Sequence, residues 1–211
     1  MTTPATTAAP AGAAPADDKS HVIEECTLVY PHLFQPRVMK DSGNQTPKYQ
    51  TVVLIPLTYD MTPLHKLALA AATKLFGSDA QRLIAAGVIK SPFRKQMEKA
   101  ALGQMGYSSD PAAVYLNVAS EQAPAVVDCN VQPILDPAKV YGGVVANVQV
   151  NAFAWNHPTG GKGISFGLQN VQILRDGPKL GGGNPDPKSV FKAVEPQAGS
   201  DLDANVKALF G

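Results

Sequence analysis

Charge and cysteine are both scarce in this chain. Only 17% of its 211 residues are charged, and 18 Lys and Arg stand against 17 Asp and Glu, for a net charge of +1. That balance alone argues neither for nor against a polyanionic partner. Two cysteines, Cys26 and Cys129, lie far apart without metal-type spacing, so each reads as a buried thiol in a reducing compartment. No two histidines sit at ligand spacing and the carboxylates are scattered, so neither a metal nor an acid–base site is expected. The first 20 residues lack a basic start followed by an apolar run, which excludes a secretory signal as expected from sequence. No stretch is long and apolar enough to span a bilayer. A soluble, intracellular protein is expected, without a membrane partner.

What is present suffices for a core, since 45% of residues are hydrophobic. Residues 1–20, rich in Ala, Thr and Pro, read as a disordered arm. A first strand alternates from His21 to Tyr30, a second from Lys48 to Leu57. Helical spacing follows: Thr62 as a cap, Pro63 in the first turn, then Leu64, Leu67, Ala68, Ala71 and Leu75, with Gly77 as the stop. A second helix opens at Ser78 and a third over Pro92 to Leu102. Strands resume at Ala113 to Ser120. The clearest signal is a hairpin whose first strand carries Val144, Ala146, Val148 and Val150 on one face. The other face carries Asn147, Gln149, Asn151, Phe153 and Trp155. Turn chemistry fills Asn156 to Gly163, and the return strand runs from Ile164 to about Leu174. Residues 178–211 are rich in Gly and Pro and read as a flexible tail after a folded domain at 21–177. Five strands with a helical insertion suit a small Greek-key barrel such as an OB-fold, although a sandwich or jelly-roll piece has the same periodicity.

Two motifs tempt and fail. Gly163-Ile164-Ser165-Phe166-Gly167 matches a nucleophile elbow, but it opens a strand and all four histidines precede Ser165. Gly160-Gly161-Lys162-Gly163 resembles a phosphate loop, yet no Ser or Thr follows Lys162 and a strand, not a helix, comes next. No catalytic residue is expected.

Single-strand binders combine a basic groove with aromatic platforms, because every nucleotide offers a phosphate and a π-face. Arg37, Lys40, Lys48 and Lys162 are the candidate phosphate contacts. Phe34, Tyr49, Tyr115, Tyr141, Phe153 and Trp155 are the candidate platforms, with core packing the competing role for each. Phe153 and Trp155 stand out, because a face shared with Asn147, Gln149 and Asn151 is a poor core lining. Residues 82–99 form the most basic stretch, equally readable as a solvated helical face.

From about Val22 to Lys188 the sequence resembles single-stranded DNA-binding proteins of tailed bacteriophages. The strongest matches are Val127-Asp128-Cys129-Asn130, Gln132-Pro133, Tyr141-Gly142-Gly143 and Asn151-Ala152-Phe153-Ala154-Trp155. They continue with Gly163-Ile164, Gly167-Leu168-Gln169-Asn170-Val171-Gln172, Arg175-Asp176-Gly177 and Leu180-Gly181-Gly182. Thinner matches are Tyr30, Phe34, Lys48-Tyr49 and Ile55-Pro56. The resemblance implies an OB-fold, no cofactor, and a role coating single strands during phage DNA replication or recombination in the infected host cytoplasm. Relatives often recruit replication proteins through an acidic, aromatic-ended tail, echoed here by Asp201, Asp203 and Leu209-Phe210. A virion structural protein of β-sandwich type is the alternative.

Overall fold

The computed structural model describes residues 19–38 and 46–180. Eight strands occur there: β1 (Ser20–Arg37), β2 (Lys48–Leu54), β3 (Ile89–Lys90), β4 (Arg94–Lys95), β5 (Val114–Ser120), β6 (Ala125–Val127), β7 (Val145–His157) and β8 (Gly161–Arg175). Helices α1 (Thr62–Phe76), α2 (Ala80–Ala85) and α3 (Gln96–Ala101) form an insertion between β2 and β5. The five long strands pair in the order β7-β1-β2-β5, and β8 closes the ring by pairing antiparallel with β7 and parallel with β5. The result is a mainly-β barrel of five strands with a helical insertion, the OB-like architecture expected from sequence.

Alternation on β7 shows why the barrel has an inside. Ala146, Val148 and Val150 are fully buried and meet Ile164, Phe166 and Leu168 of β8, Leu28 of β1, Val53 of β2 and Leu116 of β5 in one core. Small and branched side chains fit such a narrow interior, where packing must be close to crystal-like. Helix α1 covers this core with Leu64, Ala68 and Ala72 at helical spacing. Its first turn differs from the sequence reading: Thr62 is the first helical residue rather than the cap, and its N–H donates to the Asp60 carboxylate at 2.9 Å. Gly77 does end the helix, at φ +64° with its N–H donating to the Thr73 carbonyl.

Strand β1 departs from simple alternation. Its register against β7 shifts between Ile23 and Cys26, and against β2 between Val29 and His32. At each shift one residue, Glu25 or Tyr30, takes the left-handed region at φ 51°. These bulges bend the strand around the barrel and exchange its faces, so Ile23 and Cys26 both point inward. Each such residue costs about 1–2 kcal/mol of backbone strain. Around Glu25 the cost is offset by its N–H donating to Asn147 Oδ1 (3.1 Å) and by an ion pair with Arg175 (2.9 Å). Prolines 31 and 36 lie inside β1 rather than at its exit, and the expected third helix begins as the short strand β4.

Cys26 is buried and burial pushes its thiol up to about 12, whereas Cys129 is exposed, against expectation, on the loop after β6. The chain beyond β8 folds back on the barrel as far as Leu180. Tyr141 donates its hydroxyl proton toward Asp176 (2.9 Å) and the Gly177 carbonyl (3.1 Å), and the Leu180 N–H donates to the Gly142 carbonyl at 2.7 Å. Gly143, at φ +115°, lets the Pro178 carbonyl lie where a Cβ would stand. Residues 1–18, the heart of the expected N-terminal arm, and 181–211, nearly all of the expected tail, lie outside the described residues.

Two stability tests follow from this geometry. Gly143→Ala meets both a left-handed backbone and the Pro178 carbonyl, and is expected to cost about 2 kcal/mol or more. Gly103→Ala, equally left-handed at φ +71° but in open space, is expected to cost only about 1 kcal/mol. Equal losses in thermal unfolding would mean that the 176–180 strap contributes nothing. Separately, His21 Nε2 lies 2.6 Å from the Tyr59 hydroxyl. Burial holds the imidazole below its usual 6.5, with Glu24 opposing, and burial pushes the phenol up to about 12. The neutral imidazole and the protonated phenol share this hydrogen bond, and the hydroxyl also donates to the Val22 carbonyl at 3.5 Å. The folded state takes up a proton at His21 less readily than the unfolded chain does, so this stability is complete above about pH 6.5 and is lost as pH falls below it. The melting temperature should fall from about pH 7 to about pH 5, and less steeply in His21→Gln.

Candidate nucleic-acid interface

The outward face of β7 and β8 is built from unequal partners. Trp155 pairs with Gly163, Phe153 with Ser165, and Asn151 with Gly167. The indole lies on Gly163 where a Cβ would stand, and its N–H donates to Ser165 Oγ at 3.0 Å. The Asn151 carboxamide likewise lies over Gly167. Small residues on β8 thus form a floor, and large ones on β7 form a wall. Ser165 sits within a strand as a hydrogen-bond acceptor, with none of the strand-to-helix turn that a nucleophile needs. Among the described residues no cluster of His, Cys, Asp or Glu could hold a metal ion.

Across this face run two adjoining hollows of about 670 and 530 Å³. Both are bordered by Lys48, Ala119 and Phe153. The larger is lined by amides, Gln149, Asn151, Gln169 and Asn170 among them. The smaller extends over β1 and β2 to Tyr30, His32, Arg37 and Gln50. Phe153 stands on the ridge between them, 47% exposed. An exposed ring flanked by amides has no core to serve and is a natural stacking platform.

Positive charge in the groove is sparse. Arg37 Nη1 lies 3.4 Å from His32 Nε2, and burial, then the nearby guanidinium, holds His32 below its usual value. Lys48 pairs with Glu121 at 3.3 Å, an exposed contact that a phosphate can replace.

Of the residues singled out by sequence, Arg37, Lys48 and Phe153 meet in this groove. Trp155 shares the face of Phe153 but is half-buried on Gly163 and borders neither hollow. Tyr49 is half-buried on β2 and also borders neither. Phe34 packs against the main core. Tyr115 is buried with Val29 and Leu54, edge-on to Tyr107 at 5.5 Å. Tyr141 holds the strap, and Lys162 Nζ lies 5.4 Å from the Phe76 ring centre on α1. Lys40 lies outside the described residues. In the basic stretch, Arg82 pairs with Asp79, Lys90 Nζ donates to the Gly160 carbonyl and Lys95 Nζ to the Pro111 carbonyl. Sequence reasoning passed over Tyr30 and His32 as groove residues. Their signal was a bulge that alternation conceals.

A closed five-stranded barrel of this strand order, with an open polar groove and exposed aromatic rings along it, defines the OB class of nucleic-acid-binding folds. Residues 19–202 match the family described as the Enterobacter phage Enc34 ssDNA-binding protein, and the chain belongs to that family. Protein p50 of Acyrthosiphon pisum secondary endosymbiont phage 1 is 27% identical over 163 residues, spanning 74% of this chain and 83% of that protein. Among solved structures, the single-stranded DNA-binding protein of bacteriophage Enc34 superposes with a TM-score of 0.57 at 15% identity, covering 83% of this chain and 91% of that one. The same protein in complex with ssDNA gives 0.57 at 16% identity, covering 78% and 90%. The gp2.5 single-stranded DNA-binding protein encoded by bacteriophage T7 gives 0.54 at 13% identity, covering 86% and 99%.

The differing settings of the two β7 rings make separable expectations. Phe153→Ala should weaken binding to an oligothymidylate about tenfold, within the 1–3 kcal/mol per base that stacking contributes, at little cost in stability. Trp155→Ala should cost stability, about 1–2 kcal/mol, because half-buried apolar surface and a hydrogen bond are lost together. Titration and thermal unfolding of both variants decide this. A larger binding loss in Trp155→Ala than in Phe153→Ala would move the stacking platform toward the hairpin turn.

Proposed function

We propose that this protein binds single-stranded DNA in the groove across its barrel, without catalysing a reaction, and coats strands exposed during phage DNA replication or recombination. The observation that carries the reading is the placement of Phe153, exposed in mid-sheet between a hollow lined with amides and one reaching Arg37, with Lys48 bordering both. A stacking platform with flanking cations suits a nucleotide chain whose bases are unpaired. Membership of a family described by ssDNA binding supports the same reading, as does the ssDNA complex of a relative sharing the fold. Recognition is expected to vary only mildly with base sequence, because stacking does not read base edges. The segment after Gly181 carries Asp201, Asp203 and Leu209-Phe210, chemistry suited to recruiting replication or recombination proteins. The cytoplasm of the infected bacterium is the compartment such a role requires.

The salt dependence of affinity tests the assignment. Each phosphate contact contributes about −0.7 to the log–log slope for single strands, so contacts by Arg37, Lys40 and Lys48 would give about −2, and a fourth by Lys162 about −3. The groove geometry ranks them: Arg37→Ala and Lys48→Ala should each flatten the slope by about 0.7, whereas Lys162→Ala should leave it unchanged. Glu121→Gln frees Lys48 and should tighten binding roughly twofold at low salt. A wild-type slope near zero would remove phosphate contact from the mechanism.

A further inference from the structure

We infer that Tyr30 is a second base-stacking platform, which together with Phe153 lets the groove hold two bases of one strand. This deepens, and rests on, the reading of the groove as a single-stranded DNA site.

Tyr30 is 50% exposed and borders the smaller hollow together with Phe153, with His32 and Arg37 on the same strand. Its ring belongs to neither core cluster and is paired with no other ring among the described residues. The backbone makes this exposure costly. Tyr30 is left-handed at φ 51°, in the bulge where β1 shifts register against β2. Buried Thr51 secures the bulge by donating its hydroxyl to the Val29 carbonyl at 3.2 Å. Glycine or asparagine would meet that backbone with less strain. What tyrosine adds there is a half-exposed ring at the border of the groove, outside both core clusters. Strain held in place by a buried hydrogen bond, at a residue whose side chain faces a cleft, is the pattern expected of a binding position. Arg37 then lies where the phosphate linking stacked nucleotides can meet a guanidinium.

The probe is a fluorescein-labelled 15-nucleotide oligothymidylate, titrated against the full-length protein. Tyr30→Gly and Tyr30→Asn, which suit the left-handed backbone but lack the ring, should weaken binding about fivefold or more, the low end of the stacking range. Their melting temperatures should equal or exceed that of the wild type. Tyr30→Phe should bind within about twofold of wild type, because stacking needs the ring and not the hydroxyl. In the wild type, photocrosslinking to an oligonucleotide carrying 5-iododeoxyuridine should label the peptide containing Tyr30 as well as the one containing Phe153. The inference is overturned if the Gly and Asn variants bind like wild type while Phe153→Ala is weakened, or if crosslinks fall on Phe153 alone. A wild type that fails to bind the oligonucleotide at all would overturn the functional reading and this inference with it.

Discussion

The structure depends on a very short seam. Strands β5 and β8 run parallel and join through only two residue pairs, Val118 with Phe166 and Ala119 with Gly167. Without that join the sheet would be open, and the inward rows of β1, β2, β5, β7 and β8 could not share one core. The inner pair, Val118 and Phe166, is buried and fills the barrel. The outer pair is as small as side chains allow. Ala119 borders both hollows and Gly167 borders the larger, so the seam that closes the core also forms the trough. Taller residues rise on either side, Lys48 from β2 and Phe153 from β7. Closure and groove are two faces of one constraint.

Scarcity of charge shapes what such a groove can do. A protein of net charge +1 exerts little long-range pull on a polyanion. Lys48 is already engaged with Glu121, and His32 is held toward its neutral form by burial and by Arg37. On the proposed reading, stacking made at contact adds to the few phosphate contacts that such a groove can offer. The larger hollow offers amides and the smaller one Arg37, His32 and apolar surface, a lining in which charge is a minor part.

How much of this was legible in the sequence varies by element. β7 could be phased, because Val148 and Val150 on one face and Asn147, Gln149 and Asn151 on the other differ in chemistry at every step, although the seat of Trp155 on Gly163 could not. That strand and four weaker ones gave an all-β chain and left barrel and sandwich open, helical spacing gave the insertion, and the resemblance to phage single-stranded DNA-binding proteins implied the barrel. β1 could be located but not phased, since bulges at Glu25 and Tyr30 exchange its faces and no propensity marks a left-handed glutamate or tyrosine. That is why Tyr30 went unnoticed in the site. Tyr115 and Tyr141 were equally ambiguous for another reason. Their burial depends on Tyr107 and on the 176–180 strap, contacts that no local pattern encodes. Lys162 followed a turn that looked suited to phosphate, yet its ammonium rests over Phe76, a residue distant in the chain.

The polar face of β7 also has an internal gradient that bears on binding. Asn147 donates to Gln172 and accepts from the Glu25 N–H, and Gln149 is bonded on one side to Asn170 and on the other to Ser20. These rungs tie β1, β7 and β8 together and have little capacity left for a ligand. Trp155, at the other end, is held by Ser165 and Gly163. Between these anchored positions stand Asn151, which presses on Gly167, and Phe153, which needs no polar partner. The strand is therefore fixed at both ends and presents its available side chains in the middle. A ring carried on such a frame loses little further freedom when a base stacks on it, and that saved entropy appears directly as affinity. On the proposed reading, rigid rungs around an accessible ring suit a groove with few charges to a flexible strand.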